Sequence, residues 1–149
     1  MEIVDTLGFL LGTWRASRSI EDHQSGTRGW FEGTATLTEV PSGCNASLGT
    51  RARYDEAGEL HFGTYRGPAH RSLEYLRVDD MTVMVYFTDG RPFVDLDLRT
   101  GAWQSNHLCG DDRYEIATFV RSRNIVQERW GVQGPTTDYD AVTTLLRVG

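Results

Sequence analysis

Residues 12–20 read GTWRASRSI, and in this stretch Trp14, Ala16 and Ile20 alternate with polar side chains. A period of two is typical of a β-strand that buries one of its faces. Counted from Trp14, the buried face of this strand would also carry Arg18. The stretch therefore predicts a β-strand with an arginine on its inward face.

Only the segment before this strand has the period of a helix. Its apolar residues recur at helical spacing, and Gly12 is a stop signal directly after them. We therefore predict one short amphipathic helix of roughly ten residues. Its apolar positions are Ile3, Val4, Leu7, Leu10 and Leu11.

The period of two continues from residue 12 to the end of the chain, with turn signals at intervals of about ten residues. Strands at this spacing with no helix between them predict an antiparallel meander. The strands are predicted near 13–20, 28–40, 46–56, 59–66, 71–78, 81–88, 92–98, 102–109, 112–121, 124–133 and 138–148. The turn signals are Ser42-Gly43, Ala57-Gly58, Asp79-Asp80, Asp89-Gly90, Thr100-Gly101, Gly110-Asp111 and Gly134-Pro135.

About ten strands in one domain favour closure, because a closed barrel has no exposed strand edges. We therefore predict an all-β fold: a single closed, antiparallel, up-and-down β-barrel with a short N-terminal helix, spanning residues 1–149 as one domain. The first and last strands of such a barrel are neighbours. Arg147 would then lie across the indole ring of Trp14 in a cation–π contact.

Composition narrows the classes of function. The formal net charge of −6 argues against a nucleic-acid partner. All 15 basic residues are arginines, so Schiff-base chemistry on a lysine is excluded. Cys44 and Cys109 form no CxxC pair, and we expect both to be free thiols. No signal peptide or long apolar run is recognised, so we expect a cytoplasmic protein without a membrane partner.

Three ionisable residues are predicted to face a common hollow. Arg18 lies on the inward face of the first strand, and alternation places Glu56 on the inward face of the third, together with Leu48 and Tyr54. Charged groups inside a barrel are costly unless they are paired or hydrated. His107 shares a strand face with Cys109 and would pair with Tyr54, Glu56 or Asp112, or remain a buried structural histidine. The candidate catalytic residues are Arg18, Glu56 and His107.

Further residues are candidates for contacting a ligand. Guanidinium groups bind carboxylates or phosphates through paired donors, although each arginine could instead form an ion pair: Arg18 with Glu56, Arg71 with Glu74, and Arg91 with Asp89. Tyrosine hydroxyls can donate or accept at a pocket wall, or belong to the core with a hydrated tip. The candidate ligand-binding residues are Tyr54, Arg71, Tyr75, Phe87, Arg91, Cys109, Tyr114, Trp130 and Tyr139.

Several of these motifs together resemble a known family. Gly12-Thr13-Trp14 with a lone Arg147 near the end is similar to the signature of calycins, the group that includes lipocalins and fatty-acid-binding proteins. Nearly the whole chain resembles the bacterial domain family of unknown function numbered 6314, which implies a calycin-like barrel and no settled reaction. The residues that carry this resemblance are Gly12–Trp14 with Arg18 and Ile20, Gly29–Ala35, Tyr54–Gly58, Phe87–Phe93, His107–Tyr114, Val132–Pro135 and Arg147.

Two functions remain open. In the first, the barrel is a cofactor-independent enzyme that performs acid–base chemistry, such as isomerisation, dehydration or cyclisation, on a small organic metabolite. In the second, the same pocket carries or senses a small molecule without changing it. The histidines show no metal-ligand spacing, although His107 could serve as a haem ligand, as in nitrobindin-like barrels. The sequence also leaves a homodimer open.

Overall fold

The computed structural model describes residues 2–41 and 49–149, and these residues form one helix and ten strands. The all-β prediction is confirmed. The predicted Ser42-Gly43 turn, Cys44 and Leu48 lie outside the described residues. The helix is α1 (Thr6–Leu10), and the strands are β1 (Gly12–Asp22), β2 (Arg28–Val40), β3 (Arg51–Phe62), β4 (Tyr65–Arg77), β5 (Thr82–Tyr86), β6 (Pro92–Asp97), β7 (Ala102–Cys109), β8 (Asp112–Ser122), β9 (Ile125–Gln133) and β10 (Asp138–Arg147).

All ten strands belong to one antiparallel sheet, in the order β6-β5-β4-β3-β2-β1-β10-β9-β8-β7. The first and last strands pair, as predicted, with Trp14 opposite Arg147. The sheet curls into a barrel that is closed except at one seam, where the described residues of β6 and β7 form no backbone ladder. Side chains bridge this seam, since Ser105 and Trp103 of β7 donate hydrogen bonds of 2.7 and 3.2 Å to Asp95 of β6.

The helix is half as long as predicted. It begins after Asp5, whose carboxylate accepts a 3.0 Å hydrogen bond from the Gly8 N–H, and it ends at Leu10. Ile3 is buried and Val4 is 64% exposed, both ahead of the helical turns. An aspartate cap explains the late start, because its side chain satisfies an N–H of the first turn that has no partner within the helix. Helical spacing alone did not reveal this boundary.

The predicted turn at Ala57-Gly58 was wrong, and both residues lie in the middle of β3. Gly58 lies opposite Gly33 of β2, where a Cβ on Gly58 would come within 2.1 Å of the Glu32 carbonyl oxygen. This glycine therefore permits close contact between two strand backbones rather than a chain reversal. The reversal occurs instead at Gly63-Thr64, where Gly63 has a positive φ of 60°.

The barrel has a closed end and an open end. At the closed end, α1 places Leu7 and Leu10 against Trp14, and the indole N–H donates to the Leu10 carbonyl at 2.9 Å. The Arg147 guanidinium lies 4.1 Å from the Trp14 ring centroid, so the predicted cation–π contact is confirmed. At the opposite, open end, β1 ends at Asp22 and β3 ends at Phe62. The residues between the two ends determine what the lumen can bind.

Candidate functional site

An ion pair spans the lumen between β1 and β3. Arg18 donates from its two terminal nitrogens to the two carboxylate oxygens of Glu56, at 2.8 and 2.7 Å. The Arg18 and Glu56 side chains are 11% and 2% exposed, so the pair is largely shielded from water. Alternation along both strands had predicted that these charges face inward. Their bidentate geometry supplies the pairing that such buried charges require.

Glu56 also accepts hydrogen bonds from Tyr54 of its own strand and from Arg71 of β4. The Tyr54 hydroxyl donates to Glu56 Oε2 at 2.7 Å, and Arg71 Nη2 lies 3.5 Å from the same oxygen. Burial raises the pKa of Glu56, but the hydrogen bond from Arg18 and the charge of Arg71 outweigh it, and the pKa lies below the ordinary value. Glu56 is therefore an ionised carboxylate at neutral pH.

The ion-pair partner of Arg71 is not the residue that the sequence predicted. β4 places Arg71 directly opposite Glu56 of β3, and the described residues show no ion pair between Arg71 and Glu74. The Arg71 guanidinium lies 4.7 Å from the Trp130 ring centroid and 6.0 Å from the Tyr54 ring centroid. Its Nε is buried and has no hydrogen-bond partner among the described residues. Arg71 is thus held by aromatic faces and keeps an unused donor.

Above this network the open end forms a concavity of about 330 Å³, which we call the cup. Arg18 and Arg71 lie at its floor, while Phe62, Trp130 and Tyr139 supply aromatic surface. Burial raises the pKa of Tyr139, so its phenol is neutral near pH 7. The cup therefore combines charged donors at the floor with aromatic walls. Its lining residues are Arg18, Ile20, Asp22, Phe62, Arg71, Trp130, Tyr139 and Ala141.

Below the cup lies a smaller inner cavity of about 40 Å³. Arg71 lines both spaces, and the inner cavity also contacts Tyr75, Glu128 and Thr143. Burial raises the pKa of Tyr75, and burial together with the charge of Glu56 raises that of Tyr54. Since one buried water needs about 10–15 Å³, this cavity has room for water or for a small substituent of a ligand.

His107 belongs to an aromatic cluster on the other side of the lumen. Its ring centroid lies 5.4 Å from Phe93, 6.1 Å from Phe87 and 6.1 Å from Tyr114. Trp130 connects this cluster to Arg71, because its ring centroid is 5.2 Å from that of Phe93. Within the described residues, His107 makes no hydrogen bond to Glu56, Tyr54 or Asp112. The structure thus places His107 among aromatic rings rather than beside the carboxylate.

The candidate residues Arg91 and Cys109 line neither the cup nor the inner cavity. Arg91 bonds Asp89 of its own turn at 2.7 Å, and its side chain is 63% exposed. This ion pair is the one that the sequence predicted as the alternative to ligand binding by Arg91. The Arg91 guanidinium also lies 5.1 Å from the Phe87 ring centroid. Cys109 is half-buried at the end of β7, near the same turn.

Sequence reasoning missed three residues that shape the site. Thr143 lies opposite Arg18 on β10 and accepts a 2.7 Å hydrogen bond from its Nε. Glu128 accepts from the Trp130 indole N–H, and Phe62 forms part of the cup wall. Alternation counted back from Arg147 puts Thr143 on the inward face, and Glu128 alternates with Trp130. The alternation pattern therefore contained a signal for Thr143 and Glu128, whereas no sequence pattern identified Phe62.

A larger hollow of about 590 Å³ lies beside β3, β4 and the β5–β6 turn. Its lining includes Arg51, Arg53 and Glu74, and it also contacts Val40 at the end of β2. None of the described lining residues has a buried side-chain donor or acceptor without a partner. The cup is therefore the better candidate, because unused hydrogen-bonding capacity and aromatic surface converge there.

Two kinds of feature are absent from the described ranges, 2–41 and 49–149. No three histidine, cysteine, aspartate or glutamate side chains in these ranges cluster as ligands for a metal ion. No helix in the same ranges is both long and apolar enough to cross a membrane.

The fold resembles that of several solved structures. The S-type phycobiliprotein lyase CPES from Guillardia theta superimposes with a TM-score of 0.72 at 9% identity, covering 100% of this chain and 94% of that one. A redesigned β-barrel gives a TM-score of 0.49 at 10% identity, with 100% of both chains covered. A de novo designed fluorescence-activating β-barrel also gives 0.49, at 15% identity, with 97% and 99% covered.

Sequence comparison gives a more direct assignment. A search of curated proteins finds no match. The sequence pattern of a family of unknown function, DUF6314, matches residues 10–147, which is nearly the whole chain. The resemblance predicted from the motifs is thereby confirmed, and the chain belongs to the DUF6314 family.

Proposed function

We propose that this barrel binds a small organic molecule in the cup. The observation that carries the proposal is the convergence of two arginines and three aromatic side chains on one concavity of about 330 Å³. Ligand sites usually measure roughly 300–1,000 Å³ and combine apolar walls with a few placed polar groups. A site of this size accepts a molecule of one or two rings. The fold shared with the phycobiliprotein lyase is compatible with such a site but does not specify the ligand.

The candidate residues then take different roles. Trp130 and Tyr139 pack against the body of the ligand at the cup wall, while Tyr54 and Tyr75 line the space below it. Glu56 holds Arg18 and Tyr54 in place, because both of its oxygens already accept hydrogen bonds. Phe87, Tyr114 and His107 support Trp130 from behind through the aromatic cluster. Arg91 and Cys109 lie at the edge of this arrangement.

Acid–base catalysis is the second candidate function. The observation that favours it is the number of ionisable groups in the lumen, which an apolar carrier does not require. Tyr54 and Tyr75 are neutral phenols at physiological pH and could donate a proton, whereas Glu56 is a weak base because Arg18 and Arg71 lower its pKa. Mass spectrometry of the copurifying molecule, before and after incubation, distinguishes the two functions. An enzyme changes its ligand, and a carrier returns it unchanged.

Filling the cup tests the proposal directly. Ala141 lines the cup opposite Trp130, so Ala141→Phe would place a ring where the ligand is expected. N-phenyl-1-naphthylamine, a neutral dye that fluoresces in apolar surroundings, serves as the probe. We expect Ala141→Phe to weaken its binding by about tenfold or more, equivalent to about 1.4 kcal/mol.

Val142→Phe is the matched control, because Val142 is the next residue on β10 and points to the outer face. Circular dichroism and thermal melting verify that both variants fold. Equal dye affinity in Ala141→Phe and wild type, or no dye binding to wild type and no copurifying small molecule, would contradict the proposal.

A further inference from the structure

The two arginines at the floor of the cup are not equivalent. Arg18 commits its Nε to Thr143 at 2.7 Å and its two terminal nitrogens to Glu56 at 2.8 and 2.7 Å. Arg71 makes one long contact, 3.5 Å from Nη2 to Glu56. The Arg71 Nε is buried and has no acceptor in the described part of the chain. Every guanidinium nitrogen of Arg18 therefore bonds an acceptor of the protein, whereas Arg71 retains a nitrogen with none.

The Arg71 guanidinium is nevertheless held in place. It lies 4.7 Å from the centroid of Trp130 and 6.0 Å from that of Tyr54. Aromatic contacts hold the planar group by its faces and leave the nitrogens at its edge available for hydrogen bonds. The side chain is 30% exposed and lines both the cup and the inner cavity. A ligand in the cup would therefore meet a charged group that is already oriented.

The charge balance at the floor also singles out Arg71. Arg18 and Glu56 neutralise each other at hydrogen-bond distance. The charge of Arg71 is compensated only by its long contact with Glu56 and by the more distant Glu128, because no carboxylate of the described residues other than Glu56 lies within 4.0 Å of its nitrogens. Burial lowers the pKa of Arg71, but Glu56, together with Tyr54 and Glu128, more than reverses this, and the guanidinium stays charged. A fixed cation with unused donors is a site for a carboxylate.

We infer that Arg71 anchors the anionic head of the ligand, a planar organic monoanion whose carboxylate oxygens accept from the Arg71 guanidinium. This inference rests on the proposed function and names the ligand class of the same site. The body of the ligand packs against Trp130 and Tyr139, which line the cup beside Arg71. Asp22 also lines the cup and Glu128 lines the cavity below, so a second anionic group would be repelled in either direction.

A matched pair of compounds tests the inference. Naphthalene-2-carboxylate and naphthalene-2-carboxamide share the same rings and differ in the charge of the head group. Isothermal titration calorimetry is carried out on wild type, Arg71→Gln and Arg66→Gln. Arg66 is the control because it lies on the same strand, is 72% exposed and pairs with Glu59 outside the barrel.

We expect wild type and Arg66→Gln to prefer the carboxylate by about tenfold or more, since charge-assisted paired bonds are roughly twice as strong as neutral ones. Arg71→Gln should lose this preference while its affinity for the amide changes by less than about twofold. Arg71→Lys keeps the charge without the planar fork, so its preference should be intermediate. Thermal melting confirms that each variant is folded at the titration temperature.

The remaining outcomes separate this inference from the proposed function. If wild type binds both compounds equally, or if Arg71→Gln keeps the preference for the carboxylate, the ligand is not anchored at Arg71, although the cup still binds small molecules. The inference also fails if wild type binds N-phenyl-1-naphthylamine but neither naphthalene compound. If wild type binds none of the three and no small molecule copurifies with it, both the inference and the proposed function fail.

Discussion

The closed and open ends of the barrel are built from the same alternating strands but are stabilised in different ways. At the closed end, Trp14 is 2% exposed and packs on Leu10 from α1, with Arg147 across its ring. At the open end the corresponding inward positions carry Arg18 and Glu56. Packing stabilises the first end, and the second depends on each charge finding a partner.

This difference shows where function can be located in a small barrel. At the closed end apolar side chains surround the indole ring. The buried Arg77 Nε, which has no partner among the described residues, belongs to a guanidinium that already bonds Asp5 and Thr50 and lines neither the cup nor the inner cavity. At the open end, each guanidinium nitrogen of Arg18 has an acceptor, whereas the buried Arg71 Nε has none among the described residues. An incompletely satisfied group inside an otherwise satisfied network suggests a missing partner.

The largest expected effect comes from removing the packing at the closed end. Trp14→Ala should lower the free energy of unfolding by about 4 kcal/mol, because a cavity replaces the indole and Arg147 loses its aromatic contact. Urea unfolding followed by circular dichroism measures the change. Trp30→Ala is the control, since Trp30 is 45% exposed on the outer face and stacks on His61. If the two substitutions cost the same, the closed end is not a packing element.

Charge pairing at the open end should give the next effect, and it depends on pH. Removing one partner of a buried ion pair is strongly destabilising, so Glu56→Gln should cost about 3 kcal/mol at pH 7. The pKa of Glu56 is lowered in the folded protein. Its stabilisation is therefore fully present above the ordinary glutamate pKa of 4.5 and is lost as the pH falls through the lowered value.

The stability difference between wild type and Glu56→Gln should consequently shrink below pH 4.5 and persist between pH 5 and 7. Urea titrations across this pH range provide the measurement. Glu32→Gln removes an exposed carboxylate of β2 that pairs with no described residue, and it should produce no such pH-dependent difference. A stability difference that is constant from pH 3 to 7 would show that the Arg18–Glu56 pair is not stabilised by charge.

The sequence predicted the closed end of the barrel more completely than the open end. Alternation from Trp14 correctly assigned the faces of β1, and the meander correctly paired β1 with β10. Both inferences need only local periodicity and the chain order. Together they were sufficient to predict the Trp14–Arg147 contact and the inward Arg18, and alternation along β3 predicted the inward Glu56.

The cup could not be predicted because it depends on the register between strands. The misplaced turn at Ala57-Gly58 hid the hairpin at Gly63-Thr64, and only that hairpin brings Arg71 opposite Glu56. Glycine is common both in turns and where strand backbones approach closely, so the residue type alone did not distinguish the two. For the same reason alternation placed His107 inward without revealing that its neighbours are aromatic rings.

The smallest expected effect tests whether every buried donor at the open end needs a hydrogen-bond acceptor. Thr143→Val preserves side-chain shape but removes the acceptor of the Arg18 Nε, leaving Arg18 with an unused donor, as Arg71 has in the native protein. Because Arg18 keeps both bonds to Glu56, we expect a loss of only about 1 kcal/mol in urea unfolding. Thr118→Val is the control, since buried Thr118 makes no side-chain hydrogen bond to any described residue. If Thr143→Val costs as much as Glu56→Gln, then Thr143, rather than the carboxylate of Glu56, determines the position of Arg18. Such a result would also mean that Arg18, unlike Arg71, does not tolerate an Nε without an acceptor.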